Sequence, residues 1–115
     1  MGDYRDLIVY QKAYKLAMDI FERTKKNPPE EKFSLTDQIR RSSRSACVNL
    51  VEAYRRRRYK AHFLSRLNDA ETMVWLDFSK DCKYLTIEEY DDFRLRNEEV
   101  GKMIWYMIQN PDKFI

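Results

Sequence analysis

Residues 34–54 read SLTDQIRRSSRSACVNLVEAY. Leu35, Ile39, Ser43, Ala46, Leu50, Ala53 and Tyr54 fall on one face of a helix. Ser34, with Asp37 three residues on, opens that helix as a capping-box variant with Asp in place of Glu. Beyond Tyr54 stand four arginines, Arg55–Arg58. Consecutive helical residues advance by about 100° each, so the four sweep nearly the full circle and cannot share one partner. Arg57 would fall on the line of Leu50, Ala53 and Tyr54 and point at the core. The helix is therefore expected to end within 55–59.

Three further amphipathic segments flank this one. In the first, from about 6 to 25, Val9, Ala13, Leu16, Ala17, Ile20 and Phe21 recur at helical spacing. It stops at Lys25-Lys26-Asn27-Pro28-Pro29, because prolines cannot continue a helix and basic residues suit its C-terminal end. The third runs from about 60 to 84. Phe63, Leu67, Ala70, Val74 and Phe78 form its central line, flanked by Leu64, Trp75 and Cys82. The fourth opens at Thr86 with Glu89 three residues on, a full capping box, and ends at Asn110-Pro111. Its stripe is Phe93, Val100, Ile104, Met107 and Ile108. Four such helices with short links predict an all-α, antiparallel up-down four-helix bundle, one domain over residues 1–115.

Composition agrees. Only 2 Gly and 3 Pro occur in 115 residues, which leaves little room for hairpins. The densest apolar run, MIWYMI at 103–108, is far short of the roughly 20 residues that span a bilayer. No signal or transit pattern opens the chain, and Asp6 stands where myristoylation wants Ser or Thr. Cys47 and Cys82 form no C-x-x-C pair and read as buried thiols, so a cytoplasmic location is expected. Charge is uneven. Residues 1–60 hold 15 Lys/Arg against 8 Asp/Glu, a net +7, and residues 61–115 hold 7 against 11, a net −4. Such halves serve either a nucleic-acid partner or self-assembly.

Arg55 and Arg58 share a sector roughly 100° wide with Arg40, Arg41 and Arg44, a ridge about 27 Å long. With Lys60 they are the candidate nucleic-acid contacts. Arginine forks match phosphate, and Tyr54 and Tyr59 could stack on unpaired bases. Val48 and Val51 interrupt the same sector, which suits a face packed on another chain. The acids Glu88, Glu89, Asp91, Asp92, Glu98 and Glu99 could then supply counter-charges. Both readings stand.

No catalytic or metal constellation is visible. The one histidine, His62, has neither a second His nor paired cysteines beside it. Gly2 and Gly101 cannot build a phosphate loop, and Gly101 reads as permitting close helix packing. Glu52 and Glu71, near Asn49 and Thr72, read as structural hydrogen-bonding groups, because a bundle-core metal site would want Glu-x-x-His repeats. No cofactor is expected. Val48 and Val51, with Met73 and Leu76 of the third helix, lie off the core stripes and suggest an oligomer interface.

YRDLIVYQKAYKLAMDI (4–20), LTDQIRRSSRSACVNLVEA (35–53) and AETMVWLD (70–77) carry a resemblance. The chain resembles the four-helix-bundle proteins encoded in intervening sequences of bacterial 23S ribosomal RNA genes, often labelled a ribosomal protein family. The motif positions are Leu7, Leu35, Gln38, Ile39, Ser42, Ser45, Asn49, Leu50, Glu52, Ala53, Glu71, Thr72, Trp75, Leu76 and Asp77. Tyr10 replaces the usual Trp, and RRRRYK replaces a mixed, Ser-containing segment, so the arginine run is particular to this chain. The resemblance implies a ring, a homopentamer, and a likeness to retroelement accessory proteins that bind a reverse transcriptase and nucleic acid. The expected function is a non-enzymatic, oligomeric bundle that binds RNA or DNA through the second helix. The alternative is a scaffold or adaptor for a protein such as a reverse transcriptase.

Overall fold

The computed structural model of the chain describes residues 3–56 and 59–114. Four helices follow one another, α1 (Ile8–Thr24), α2 (Leu35–Arg56), α3 (Tyr59–Asp81) and α4 (Ile87–Gln109). Short 3-10 turns lie at Tyr4–Asp6, Pro29–Glu31 and Pro111–Phe114, and no strand occurs among the described residues. α2 is described as far as Arg56 and α3 from Tyr59, and the two residues between, inside the expected helix end at 55–59, lie outside the described residues. None of the helices is long and apolar enough to cross a membrane.

The caps explain the boundaries. Thr86 Oγ1 accepts from Glu89 N at 3.1 Å, and Glu89 Oε1 accepts from Thr86 N at 2.8 Å, completing the capping box of α4. α3 stops three residues short of expectation because Lys83 takes a positive φ of 64°. Its neighbour Tyr84 N then donates back to Ser79 O at 2.8 Å, which closes the helix end. At the start of α2, the members of the expected capping box have other partners. Ser34 Oγ donates to Glu31 at 2.6 Å, and Asp37 pairs with Arg41 at 3.7 Å.

Cross-helix pairs show the antiparallel order. As residue number rises along α2, its partner on α3 falls. Ser42 meets Thr72 at 2.8 Å and Asn49 meets Asn68 at 2.7 Å. α1 and α4 run opposed in the same way, through Lys12–Glu99 at 2.9 Å, Asp19–Arg96 at 2.7 Å and Arg23–Glu89. α1 packs chiefly on α2 and α4, and α3 packs on the same two, so α1 and α3 occupy opposite corners. The core has two layers. Val9, Ala13, Ala17, Cys47, Leu50, Val100, Ile104 and Met107 fill one end, and Leu16, Ile20, Ile39, Leu76, Leu85 and Phe93 the other.

α3 overturns its expected orientation. Phe63, Leu67, Val74 and Phe78 are 48%, 63%, 49% and 53% exposed, and Ala70 is exposed with them. Cys82 is exposed as well. The face turned to the core carries Ala61, His62, Ser65, Asp69, Thr72, Leu76 and Ser79. The hydroxyls among them are buried without great loss because each has a backbone acceptor, on α3 itself or on α2. Ser65 Oγ donates to Ala46 O at 2.8 Å, Thr72 Oγ1 to Asn68 O at 2.9 Å and Ser79 Oγ to Trp75 O at 2.8 Å. Small side chains also let α2 approach α3 closely. Leu76, expected off the core stripe, is fully buried, and Met73 is half-buried against the same layer. Leu76 offers no surface in the single chain, and Met73 only part of its side chain.

Gly101 is corrected too. A Cβ there would meet only Asp69 Oδ2, at 4.0 Å, an ordinary contact. Close packing does not require this glycine. Gly101→Ala is expected to raise stability by about 0.5–1 kcal/mol through helix propensity. A thermal melt checks this, and a lower Tm would show that the added methyl crowds Asp69.

Candidate nucleic-acid interface

The outward face of α2 carries the arginine ridge, and the structure divides it. Arg41, Arg44 and Arg55 are exposed, as is Lys60 at the start of α3. Arg40 is half-buried and holds the end of α1. Its Nε donates to Thr24 Oγ1 at 2.9 Å and its Nη2 to Phe21 O at 3.3 Å. A cation on these last carbonyls offsets the negative end of the helix, so Arg40 acts mainly within the chain. Arg58 lies outside the described residues, as does Arg57.

The ridge does not stand alone. Phe21 of α1 lies beneath it, with the Arg40 guanidinium 4.5 Å and the Arg44 guanidinium 5.2 Å from its ring centre. Lys25 reaches the same ring at 5.0 Å. Toward the start of α1, Tyr4 of the preceding 3-10 turn forms a ladder with Tyr10 and Tyr14. Tyr4 meets Tyr10 edge-on at 5.0 Å, and Tyr14 lies against Tyr10 at 5.9 Å with a 32° tilt. Between ladder and ridge is a shallow hollow of about 240 Å³ lined by Tyr4, Tyr10, Cys47, Val48, Val51 and Glu52. Val48, 62% exposed, stands between Arg44 and Arg55, and Val51 is half-buried.

The α1 aromatics were not among the sequence candidates, which took Tyr54 and Tyr59 for stacking. Tyr54 is half-buried, and the Tyr59 side chain is outside the described part. A signal for α1 existed. Tyr10 and Tyr14 repeat at helical steps beside the core stripe, and Phe21, expected within that stripe, is only half-buried and lies under Arg40 and Arg44 instead.

Electrostatics favour an open basic face. Five of the six acids of α4 are engaged away from it, Glu89 with Arg23, Asp91 and Glu98 with Arg94, Asp92 with Arg96, and Glu99 with Lys12, while on the face itself Asp37 pairs with Arg41. Arg23 and the Thr86 amide hold the Glu89 carboxyl down at about 2. At the far end of the face, the Arg5 amide lowers Asp3, and Arg55 adds a smaller pull. The Cys47 thiol beneath the hollow is pushed up to about 12, first by burial and then by Asp69, so it stays protonated and inert. Among the described residues, no three His, Cys, Asp or Glu side chains group to hold a metal ion.

These features define an antiparallel helical bundle with a basic, aromatic-lined face along α1 and α2. The chain belongs to the 23S rRNA-intervening sequence protein family, which matches residues 5–106. It is similar to a crystal structure of a protein with unknown function from the S23 ribosomal protein family of Bacteroides thetaiotaomicron. That likeness has a TM-score of 0.81 at 25% identity and covers 90% of this chain and 96% of the other. No curated protein matches the chain.

Proposed function

We propose that the protein is a non-catalytic, self-associating bundle that binds nucleic acid through the α1–α2 face. The observation that carries this reading is the exposed trio Arg41, Arg44 and Arg55 on α2, with the Arg44 guanidinium over the Phe21 ring of α1. Phosphate neutralisation releases counterions, and several copies of a weak site add avidity. Self-association is assigned to the outward α3 seam, which occupies the corner opposite α1 and so leaves the basic face open. A five-membered ring is the number the family resemblance implies. The alternative, a scaffold for another protein, draws on the same α3 seam.

The test is binding to RNA and duplex DNA across a salt series, with and without Arg41, Arg44 and Arg55 changed to serine. Loss of three phosphate contacts per site is expected to flatten the slope of log K against log salt by about 2 to 3. Wild-type binding no tighter than about 10⁻⁴ M near physiological salt would overturn the reading.

A further inference from the structure

We propose that the ligand of this face is unpaired RNA, its bases stacked on the α1 aromatics and its phosphates held by the α2 arginines. The inference rests on the nucleic-acid reading above and names its substrate class. Three observations carry it. First, the α1 row Tyr10, Tyr14, Met18 and Phe21 runs parallel to the arginines, and Tyr14 and Met18 are exposed. Tyr14 is braced from one side by Tyr10, which Tyr4 braces in turn, so its outer ring face is a fixed platform. A rigid platform loses little entropy when a base stacks on it.

Second, the row is long enough for a strand. Tyr10 to Phe21 spans about 16 Å at 1.5 Å per residue. That fits about five nucleotides at the stacked 3.4 Å spacing, and fewer when the strand is extended. Third, the composition of the face disfavours a duplex. A double helix presents phosphates outward and hides its bases, so exposed Val48 and Tyr14 would meet charge. An unpaired strand presents both, bases to the apolar α1 side and phosphates to Arg41, Arg44 and Arg55. RNA is the assigned strand because its loops and bulges display unpaired bases as stable structure.

The experiment is fluorescence anisotropy of the full chain with a 12-nucleotide unstructured RNA, the same sequence as DNA, and the RNA annealed into duplex. It is run on wild type, Tyr14→Ala, Tyr14→Phe and Arg44→Ser. The expected result is single-stranded RNA bound about 10-fold or more tightly than duplex. Tyr14→Ala is expected to lose about 10-fold with an unchanged salt slope, and Tyr14→Phe to retain binding, because stacking needs the ring. Arg44→Ser is expected to reduce the slope itself. Tyr14 is half exposed, so the alanine variant keeps the fold, which circular dichroism checks. Equal binding of strand and duplex, or a silent Tyr14→Ala beside a weakened Arg44→Ser, overturns this inference and leaves the nucleic-acid reading standing. Tighter binding of the DNA strand overturns the RNA assignment. No salt-dependent binding of any probe overturns both.

Discussion

Changing Leu67 and Val74 together to glutamate is expected to turn an assembled protein into monomers, raising the dissociation constant at least about 100-fold. Both residues sit mid-seam on α3, between Phe63 and Phe78, and point away from the bundle. The seam runs about 22 Å along the helix at 1.5 Å per residue. Ala70 at its centre allows close approach by another helix. Phe63 continues sideways into Trp105 of α4 at 6.5 Å, where Arg66 covers the indole at 4.8 Å. Trp75 adds to the other flank, 5.8 Å from Phe78. Fully burying each large apolar side chain contributes about 1.5–3 kcal/mol, and roughly half of each remains to be covered. Four such residues therefore supply several kcal/mol to an interface. Two buried carboxylates without partners would more than cancel it. The single chain is untouched by the change, because these positions face water in it. Light scattering of wild type and variant at micromolar concentration reads the result, with circular dichroism to confirm equal helicity. A wild type already monomeric at that concentration would end the proposal that α3 joins copies.

The second large effect concerns Asp69. It is 7% exposed, its Oδ2 has no hydrogen-bond partner, and Asn97 reaches only its backbone carbonyl, at 2.8 Å. Burial pushes its carboxyl up to about 7 from 3.8, against a modest opposing pull from Arg66. The sign of the consequence follows from linkage. Between the two values the folded chain binds the proton that the unfolded chain has lost, so stability falls as pH rises. The fall begins near pH 4, is complete near pH 7, and is flat above. Three pKa units correspond to about 4 kcal/mol. Asp69→Asn carries no charge and is expected to lack this fall. It should match wild type near pH 3 and exceed it by up to about 4 kcal/mol at pH 8. Urea unfolding of both proteins at a series of pH values measures the difference. Parallel curves across pH 3–8 would mean that Asp69 is solvated when ionised. His62, two turns earlier on the same face of α3, is also buried with an unpartnered Nδ1, and burial lowers its pKa. Its protonation acts in acid, opposite in sense to Asp69, so the pH 7–8 comparison isolates the carboxylate.

The residues that define helix ends act locally, which is why they could be read without a structure. Pro28-Pro29, the Thr86–Glu89 box and Asn110-Pro111 each stop or start a helix through their own backbone chemistry. The stripes of α1, α2 and α4 point inward as expected, except that Phe21 of α1 lies at the edge, under Arg40 and Arg44. The basic face was half legible. Arg41, Arg44 and Arg55 stand exposed where the helical angles put them. The diversion of Arg40 to Thr24 and Phe21 depends on the end of α1, 16 to 19 residues back in the chain. The Tyr10–Tyr14–Phe21 row became part of the face only when α1 docked beside α2.

Sequence alone determined the number of helices, their approximate ends, the family and the sector of the arginines. Tertiary structure alone decided which side of α3 is inside. Periodicity reports the angle of an apolar stripe but not what covers it. A seam meant for a second surface and a stripe meant for the core lose water equally well, so they look alike in sequence. Here α2 and α4 close on the narrow Ser65, Asp69, Thr72 and Ser79 side, where Ser65 bonds the Ala46 carbonyl of α2, Thr72 and Ser79 bond carbonyls of their own helix, and Asp69 Oδ2 stays unpaired. The large apolar side chains Phe63, Leu67, Val74 and Phe78 are thereby left at the surface.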